Sequence, residues 1–259
     1  MFRLKADTEM EDKCKKRLLE LANTAFNRGY PVFTDFLDLN EQNIYHHSQK
    51  ELSFVPARLW GGYDLAERQM LAFIPDALSL SDSDLFPISC LQIRFVSAKF
   101  AEQLTHRDYL GSLMNLGIDR SKTGDILVYD NGADVICEQT MASWISRELT
   151  RVRHTQVSCS VTACKDIAFQ PKTQEIVGTV SSVRLDALLP LLWKGSRSLL
   201  SSCISGGQVY VNGKLITESG FHPKEGDLIS VRGHGKARFV NIGDKTRKGR
   251  TLVVLEKYI

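Results

Sequence analysis

The side chains of this sequence best suited to chemistry are cations and hydrogen-bond donors in its last third. Arg184 precedes one apolar helical pattern, and Ser196 and Arg197 stand where a second one begins. Backbone N–H groups at a helix start attract anions, and an arginine adds paired donors that fit a phosphate group. The candidate binding residues are Arg184, Lys194, Ser196, Arg197, Gln208, Tyr210, Asn212, Lys214, Arg232, Lys236 and Arg238. Their types indicate a surface that binds phosphates and base edges.

Two short helices and a hairpin are predicted to position these side chains. Four leucines between residues 185 and 192 recur at i, i+3, i+4 and i+7, which predicts a helix with one apolar face. Ser196 fits the N-cap of a second helix that ends before Gly206. Residues 208–211 alternate polar and apolar and lead into Asn212-Gly213, a strong hairpin signal. Further strands are predicted at 214–216, 228–232, 238–242 and 251–257.

This order of elements resembles the S-four domain, an RNA-binding module. The resemblance is carried in one register by Arg184-Leu185-Asp186, Ser196-Arg197, and residues 204–207, 209–213 and 226–231. Leu200 and Cys203 depart from the family pattern, which has Ala and Leu there, and both are expected on the buried side. The resemblance implies an RNA-binding domain over residues 182–259, and we expect the candidate residues to form one continuous surface.

Positive charge is concentrated in the same segment. The whole chain has a formal charge of +3, but residues 182–259 carry 13 Lys and Arg against 6 Asp and Glu. Residues 1–181 carry 20 against 24. A local cationic excess is typical of a phosphate-binding face, whereas the alternative is an ordinary solvated surface. The motif favours binding.

Composition limits the class of protein. A chain of 259 residues that is 43% hydrophobic accommodates two or three small domains. Six scattered cysteines without CxxC spacing, and no N-terminal apolar run, predict reduced thiols and a cytoplasmic protein. No apolar stretch reaches the length of a membrane span, so we expect no membrane partner. We also expect a monomer with no cofactor, metal or small-molecule substrate.

The fold class predicted for the chain is α+β. Residues 1–80 form a first α/β unit, with a helix over 10–27, a helix capped by Asn40, and strands at 53–60 and 67–75. Residues 76–84, rich in Ser and Asp, are the predicted linker. Residues 85–167 follow a β-α-β-β-α-β order that predicts a ferredoxin-like (RRM-like) domain, with its first helix over 98–116. The aromatic stacking strand of such domains is missing, so direct base stacking is not expected here.

Longer segments resemble the YlmH-type bacterial proteins over nearly the whole chain. The matching blocks are residues 34–38, 61–63, 66–68, 106–114, 116–120, 124–126 and 180–186. The resemblance implies a non-enzymatic RNA-binding protein of the ribosome, acting on the large subunit and its tRNA when translation stalls. Spacing and charge alone do not indicate the ribosome.

Two short patterns resemble those of enzymes. His106-Arg107-Asp108 imitates a kinase catalytic loop, but its companion motifs are missing, which favours a capping or bracing role. S-four domains are often joined to RNA-modifying enzymes such as pseudouridine synthases and methyltransferases. Here Arg184-Leu185-Asp186 lacks the Thr-Ser-Gly that follows a synthase's catalytic Asp, and no cofactor loop follows a strand. An RNA-modifying enzyme and a protein-docking module remain the alternatives.

Overall fold

The computed structural model describes residues 2–75, 85–164, 167 and 172–258, with side chains from Glu11 onward except Phe100. The predicted linker at 76–84 lies outside the described residues. The chain divides into two compact units, Met1–Phe169 and Gln170–Ile259. Helices and antiparallel sheets occur in both, so the fold is α+β. Within the described ranges, no helix is both long and apolar enough to cross a membrane.

The first part of unit 1 packs two helices on a three-stranded sheet. Its elements are α1 (Phe2–Arg28), β1 (Val32–Leu37), α2 (Leu39–Ser48), β2 (Ala57–Trp60) and β3 (Gln69–Phe73). The antiparallel strand order is β1-β3-β2. Leu18 and Ala22 of α1 are buried in one core cluster with Leu71 and Phe73 of β3. This burial fixes α1 on the sheet because it removes the apolar helix face from water.

The cap of α2 is one correction to the sequence prediction. Asp38, not Asn40, is the N-cap, and its Oδ1 accepts hydrogen bonds from the backbone N atoms of Asn40 and Glu41 at 2.8 and 2.9 Å. The Glu41 carboxylate accepts in turn from the Asp38 backbone N at 2.8 Å. This reciprocal pair satisfies more of the helix's orphan N–H groups than an Asn40 cap would, which explains the earlier helix start.

The second part of unit 1 is a five-stranded antiparallel sheet with two helices. Its elements are β4 (Ile88–Phe95), a 3-10 turn (Ala98–Phe100), α3 (His106–Asn115), β5 (Thr123–Tyr129), β6 (Gly132–Glu138), α4 (Gln139–Glu148), β7 (Arg151–Val152) and β8 (Thr155–Thr162). The strand order is β5-β6-β4-β8-β7. The predicted helix over 98–116 is wrong in its first half, because α3 begins only after Thr105. The Asp108 carboxylate accepts from the backbone N and the hydroxyl of Thr105, which fixes that start.

The two faces of this sheet have different neighbours. Leu91, Ile93 and Val135 point toward α3 and α4 and lie in one core with Tyr109 and Ile145. Strand alternation sends the residues between them to the opposite face.

Part of that opposite face is covered by the first part of unit 1. Ile136 of β6 is fully buried in a cluster with Phe36, Met70 and Phe86. A Cβ added to Gly124 would lie 2.8 Å from Phe36 Cε1, so only glycine permits this close approach.

A polar junction joins the same two parts of unit 1. The Asp125 carboxylate accepts from the Tyr63 hydroxyl at 2.8 Å and from the backbone N atoms of Glu67 and Arg68 at 2.7 and 3.1 Å. Arg68 also donates to the carbonyl oxygens of Thr123 and Phe36 at 3.0 and 2.7 Å. Several residues of the family-like blocks at 61–63, 66–68 and 124–126 therefore serve this contact.

Unit 2 is a six-stranded antiparallel sheet with one face covered by two helices. Its elements are β9 (Thr173–Val180), α5 (Leu185–Leu192), α6 (Arg197–Ser205), β10 (Val209–Val211), β11 (Lys214–Leu215), β12 (Leu228–Val231), β13 (Gly235–Lys245) and β14 (Thr251–Tyr258). The strand order is β11-β10-β12-β13-β14-β9. Strand β9 was not predicted; it pairs with β14 along its whole length, from Thr173 opposite Tyr258 to Val180 opposite Thr251.

The core of unit 2 confirms the predicted helix pattern. Leu185, Leu188, Leu189 and Leu192 are buried with Leu200 and Ile204 of α6 and with inward residues of the sheet. Leu200 and Cys203, the two departures from the S-four pattern, both lie on the buried side as expected. The helices therefore lie on one face of the sheet and leave their charged ends at the surface.

Candidate nucleic-acid interface

A single carboxylate joins the two predicted arginines at the helix starts. Arg184 is the N-cap residue of α5, and Arg197 is the first residue of α6. Arg184 donates from Nε and Nη2 to the two oxygens of Asp186 at 2.9 and 2.7 Å, and Arg197 Nη2 donates to Asp186 Oδ2 at 3.0 Å. The acid thereby holds two guanidinium groups next to one another.

The electrostatics of this cluster keep it cationic. Hydrogen bonding from Arg184, followed by that from Arg197, lowers the pKa of Asp186 below its usual value of 3.8, although partial burial opposes the shift. The three charged groups together carry +1 at neutral pH. The Arg184 and Arg197 side chains keep 41% and 64% of their surface exposed, whereas the Asp186 side chain keeps 11%. An incoming anion therefore meets the arginines rather than the acid.

The loop between α5 and α6 adds a further cation and a cap. Ser196 is the N-cap of α6, and its hydroxyl oxygen accepts from the Leu199 backbone N at 3.1 Å, as the sequence predicts. Lys194 is exposed beside it. Trp193 is buried, and its ring centroid lies 6.3 Å from that of His234 in the β12–β13 turn. This contact links the helix loop to the sheet at one end.

The strand residues lie on the side of the sheet that faces away from the helices. Tyr210, Ser230 and Lys236 are cross-strand neighbours, and they alternate with core residues such as Val209 and Val231. Arg238 follows two residues after Lys236 on the same face. The predicted residues thus lie on two sides of the sheet.

Tyr210 is a correction to the predicted surface. Only 2% of its surface is exposed, and the Arg232 guanidinium carbon lies 5.3 Å from its ring centroid. Its ring therefore has no exposed face for a base, and Arg232 is the group that solvent meets. The position between two valines did not reveal this burial, because alternation gives the side on which a residue lies and not what covers that side.

The Asn212-Gly213 turn is formed as predicted. Asn212 has φ +49°, donates to Asp227 at 2.8 Å and accepts from the Leu228 backbone N at 2.9 Å, so its amide organises the turn. Lys214 pairs with Val211, which places it on the helix-facing side and not on the side of Tyr210. The two-residue turn causes this, since residues paired across a hairpin point the same way. Gln208 and Lys214 are both exposed.

A further basic group lies in the β13–β14 turn. Lys245, Arg247, Lys248 and Arg250 are all exposed. Arg250 donates to the hydroxyl of Thr179 at 3.0 Å and also to the Thr179 carbonyl oxygen. The unpredicted strand β9 therefore anchors one cation of the turn and leaves the other three in solvent.

Asp108 of the kinase-like triplet has structural partners. Asp108 of the kinase-like triplet caps α3 and lies 3.4 Å from Arg153, and its hydrogen bonds with Thr105 are the main cause of a lowered pKa. Burial, followed by the nearby Arg120 charge, lowers the pKa of His106. In the described part of the chain, no three His, Cys, Asp or Glu side chains are grouped to hold a metal ion.

Comparison with known proteins identifies the family. The model described as "YlmH, N-terminal" matches residues 11–78, and the model described as "Putative RNA-binding domain in YlmH" matches residues 81–166. A Bacillus subtilis protein named ribosome-associated protein quality control protein P2 is 32% identical over 225 residues, which are 86% of each chain. The solved structure of cell division protein YlmH from Streptococcus pneumoniae has a TM-score of 0.48 and 24% identity, and covers 59% of this chain and 91% of that one. On the two family-model matches and the B. subtilis relative, and in agreement with the sequence blocks described above, the chain belongs to the YlmH family.

Proposed function

We propose that this protein is a non-enzymatic RNA-binding protein that associates with the large ribosomal subunit and its tRNA through unit 2. The observation that carries the proposal is the Arg184–Asp186–Arg197 cluster, in which one acid holds two exposed arginines at adjacent helix starts. Paired guanidinium groups fixed in this way fit phosphate oxygens with little further loss of side-chain freedom.

The charge of unit 2 supports a polyanionic partner. Residues 170–259 carry 14 Lys and Arg against 7 Asp and Glu, while the remaining chain is slightly acidic. The exposed cations occur at the helix starts, in the β12–β13 region and in the β13–β14 turn. Together these regions cover more surface than a single phosphate group can contact. An extended, backbone-directed contact with RNA accounts for this distribution better than a small anion does.

The order of elements supports the finer assignments. In unit 2 the sequence of α5, α6 and the β10–β11 hairpin agrees with the S-four pattern read from the sequence. In unit 1 the order β5-β6-β4-β8, with α3 and α4 on one face, agrees with a split β-α-β arrangement of ferredoxin-like or RRM-like type.

The names of the relatives support the choice of partner. One matching family model, over residues 81–166 of unit 1, is described as "Putative RNA-binding domain in YlmH", and the B. subtilis relative is named for association with the ribosome in quality control. Both fit an RNA-directed protein of the cytoplasm. Within the proposal the chain acts as a monomer and uses no cofactor or small-molecule substrate.

Co-sedimentation of the full chain with purified large ribosomal subunits tests the proposal. Arg197→Ala is expected to weaken association by about 1–3 kcal/mol, because it removes a charge-assisted phosphate or base-edge contact. Arg28→Ala, which removes an exposed cation of α1, is the matched control and should sediment as the parent protein does. Equal sedimentation of both variants and the parent would place the interface elsewhere.

The non-enzymatic part has its own test. Ribosomes incubated with the pure protein, with and without S-adenosylmethionine, should yield an unchanged set of nucleosides on digestion. A new methylated nucleoside or a new pseudouridine would favour the RNA-modifying alternative.

A further inference from the structure

The helix-free face of the β4–β8 sheet in unit 1 is divided into two halves. One half contains Cys90 and Ile136, which are fully buried, and Ile136 packs against Phe36 and Met70 from the first part of the unit. The other half is formed by the opposite ends of the same strands, which lie away from this contact. RNA has no access to the buried half, so any RNA contact on this face must use the other one.

The accessible half is polar and contains two arginines. Strand pairing places Arg94 opposite Ser158 and Gln92 opposite Ser160, while Arg151 on the edge strand pairs with Gln156. Residues between them, such as Ile93 and Val157, point to the helices, so these six side chains share the helix-free face. Arg151, Gln156, Ser158 and Ser160 are exposed.

An arginine–tyrosine pair lies beside this row of polar side chains. The Arg94 guanidinium carbon is 5.5 Å from the Tyr129 ring centroid, and Arg94 Nη2 is 2.7 Å from the buried Asp134 carboxylate. Arg94 Nη1 also donates to the carbonyl oxygens of Ile93 and Ala133 at 3.0 and 2.9 Å. The Tyr129 hydroxyl donates to Asp134 at 3.0 Å, so both planar groups are held in place. About a third of the Arg94 side chain remains exposed.

We propose that this half-face is a second RNA contact, which takes a short unpaired stretch of RNA. An unpaired base stacks on the Arg94–Tyr129 pair, because guanidinium planes and aromatic rings are the usual platforms for splayed-out bases. The hydroxyls of Ser158 and Ser160 donate to the sugar–phosphate backbone, and Arg151 supplies charge at the edge of the sheet. The proposal rests on the proposed function for its choice of RNA as the partner, a choice that also agrees with the RNA-binding description of the family model over residues 81–166.

The chemistry of the half-face favours RNA over a protein partner. The six strand side chains named above are hydroxyl, amide and guanidinium groups, whereas the centre of a protein interface is normally apolar or aromatic. The exposed valine of β8, Val161, alternates with Ser160 and so points to the helix side. The expectation that no base stacks in this domain concerned an aromatic platform on the two central strands. On β6 the helix-free positions are indeed occupied by Gly132, Asp134 and the buried Ile136, so the proposed stacking uses the Arg94–Tyr129 pair instead.

Photo-crosslinking of the full chain to a single-stranded oligoribonucleotide that contains 4-thiouridine locates the contact. Crosslinked peptides are expected from the segments around Tyr129 and Ser158, in addition to peptides of unit 2. Crosslinks confined to unit 2 would overturn this inference and leave the proposed function intact. Crosslinks confined to unit 1 would overturn RNA binding by unit 2 instead, and none in either unit would overturn both.

Matched glutamate substitutions test the role of the half-face. Ser158→Glu is expected to weaken binding of the single-stranded probe roughly fivefold or more, because it places a negative charge against the backbone. Ser143→Glu introduces the same charge at an exposed position of α4, on the helix side, and should leave binding unchanged. Ser158→Thr keeps a hydroxyl and a strand-compatible side chain and should bind as the parent does. Equal binding by the two glutamate variants, at unchanged melting temperature, would overturn the proposal. Release of a bound protein partner by Ser158→Glu, with RNA binding unchanged, would also overturn it.

Discussion

The guanidinium of Arg197 lies 3.0 Å from the carboxylate of Asp186, a contact that joins the first residue of α6 to the first turn of α5. Arg184 holds the same carboxylate through two hydrogen bonds. The acid reduces the net charge of the cluster while fixing the direction of both arginines. If net charge governs RNA binding, removing the negative charge of Asp186 should strengthen binding. If the fixed direction of the two arginines governs it, the same change should weaken binding.

Asp186→Asn is expected to weaken binding to large ribosomal subunits roughly tenfold, although it makes the chain more positive, because both arginines lose a charge-assisted partner. The equilibrium constant is measured by sedimentation at fixed salt. Asp244→Asn makes the same charge change at an exposed position of β13 and should bind as tightly as the parent or slightly more so. Tighter binding by Asp186→Asn would mean that net charge alone governs the interaction.

The titration of Asp186 should report the same cluster. Hydrogen bonding from Arg184 lowers the pKa of this acid in the folded state, so its stabilising contribution is complete at neutral pH and disappears as the pH falls through that lowered pKa. Carbon-13 NMR of the carboxyl group should give a pKa below 3.8 in the parent protein. In Arg184→Ala the pKa should rise toward the ordinary value. An unchanged pKa in that variant would contradict the hydrogen-bonded arrangement.

Two leucines of unit 2 distinguish the core from the surface. Leu188 is fully buried between the helices and the sheet, whereas Leu199 is 53% exposed on α6. Leu188→Ala should lower the free energy of unfolding by roughly 2–5 kcal/mol, because it reduces apolar burial and leaves a cavity. Leu199→Ala should change it by less than about 1 kcal/mol. Urea unfolding of the two variants measures the difference, and equal effects would contradict the helix packing.

The sequence predicted best what local patterns determine. The four leucines of α5, the Ser196 cap and the Asn212-Gly213 turn all depend on neighbours within a few residues, and all three are present. Where two local signals competed, the prediction erred: Asp38 displaced Asn40 as the cap of α2 because it forms a reciprocal pair with Glu41.

Contacts between distant segments were not predictable in the same way. Strand β9 contains Gly178, and half of its residues are exposed, so only its pairing with β14, over seventy residues later in the chain, makes it a strand. The burial of Tyr210 and the burial of Ile136 also depend on segments far away in sequence. The binding residues were therefore predicted from their residue types, and the sequence did not reveal that the fold divides them between two sides of the sheet.

Two glycines of unit 1 test how its first part rests on the sheet. A Cβ at Gly124 would lie 2.8 Å from Phe36 Cε1 and 3.1 Å from Ile136 Cβ, whereas a Cβ at Gly111 of α3 would meet nothing within 4 Å. Gly124→Ala should destabilise the protein by about 1–3 kcal/mol through overpacking. Gly111→Ala should stabilise it by up to about 1 kcal/mol, since alanine is the better helix former. Thermal melting checks both, and a neutral Gly124→Ala would contradict the close contact on this face.

The salt dependence of RNA binding should reveal how many phosphates unit 2 binds. Five bound phosphates imply that affinity falls roughly a hundredfold or more between about 50 and 200 mM salt, because each one releases counterions. Replacing Lys245, Arg247 and Lys248 with Gln removes three exposed cations of the β13–β14 turn and retains Arg250, which is bound to Thr179 of β9. This variant should bind all RNAs more weakly, and the slope of log affinity against log salt should become shallower by roughly one for each phosphate that the turn no longer binds.

The control replaces Lys16, Arg17 and Arg28 of α1 with Gln, an equal change of charge at exposed positions in unit 1. Because counterion release depends on direct phosphate binding and not on total charge, the control should keep the parent slope; identical slopes for both variants would exclude the turn from the interface.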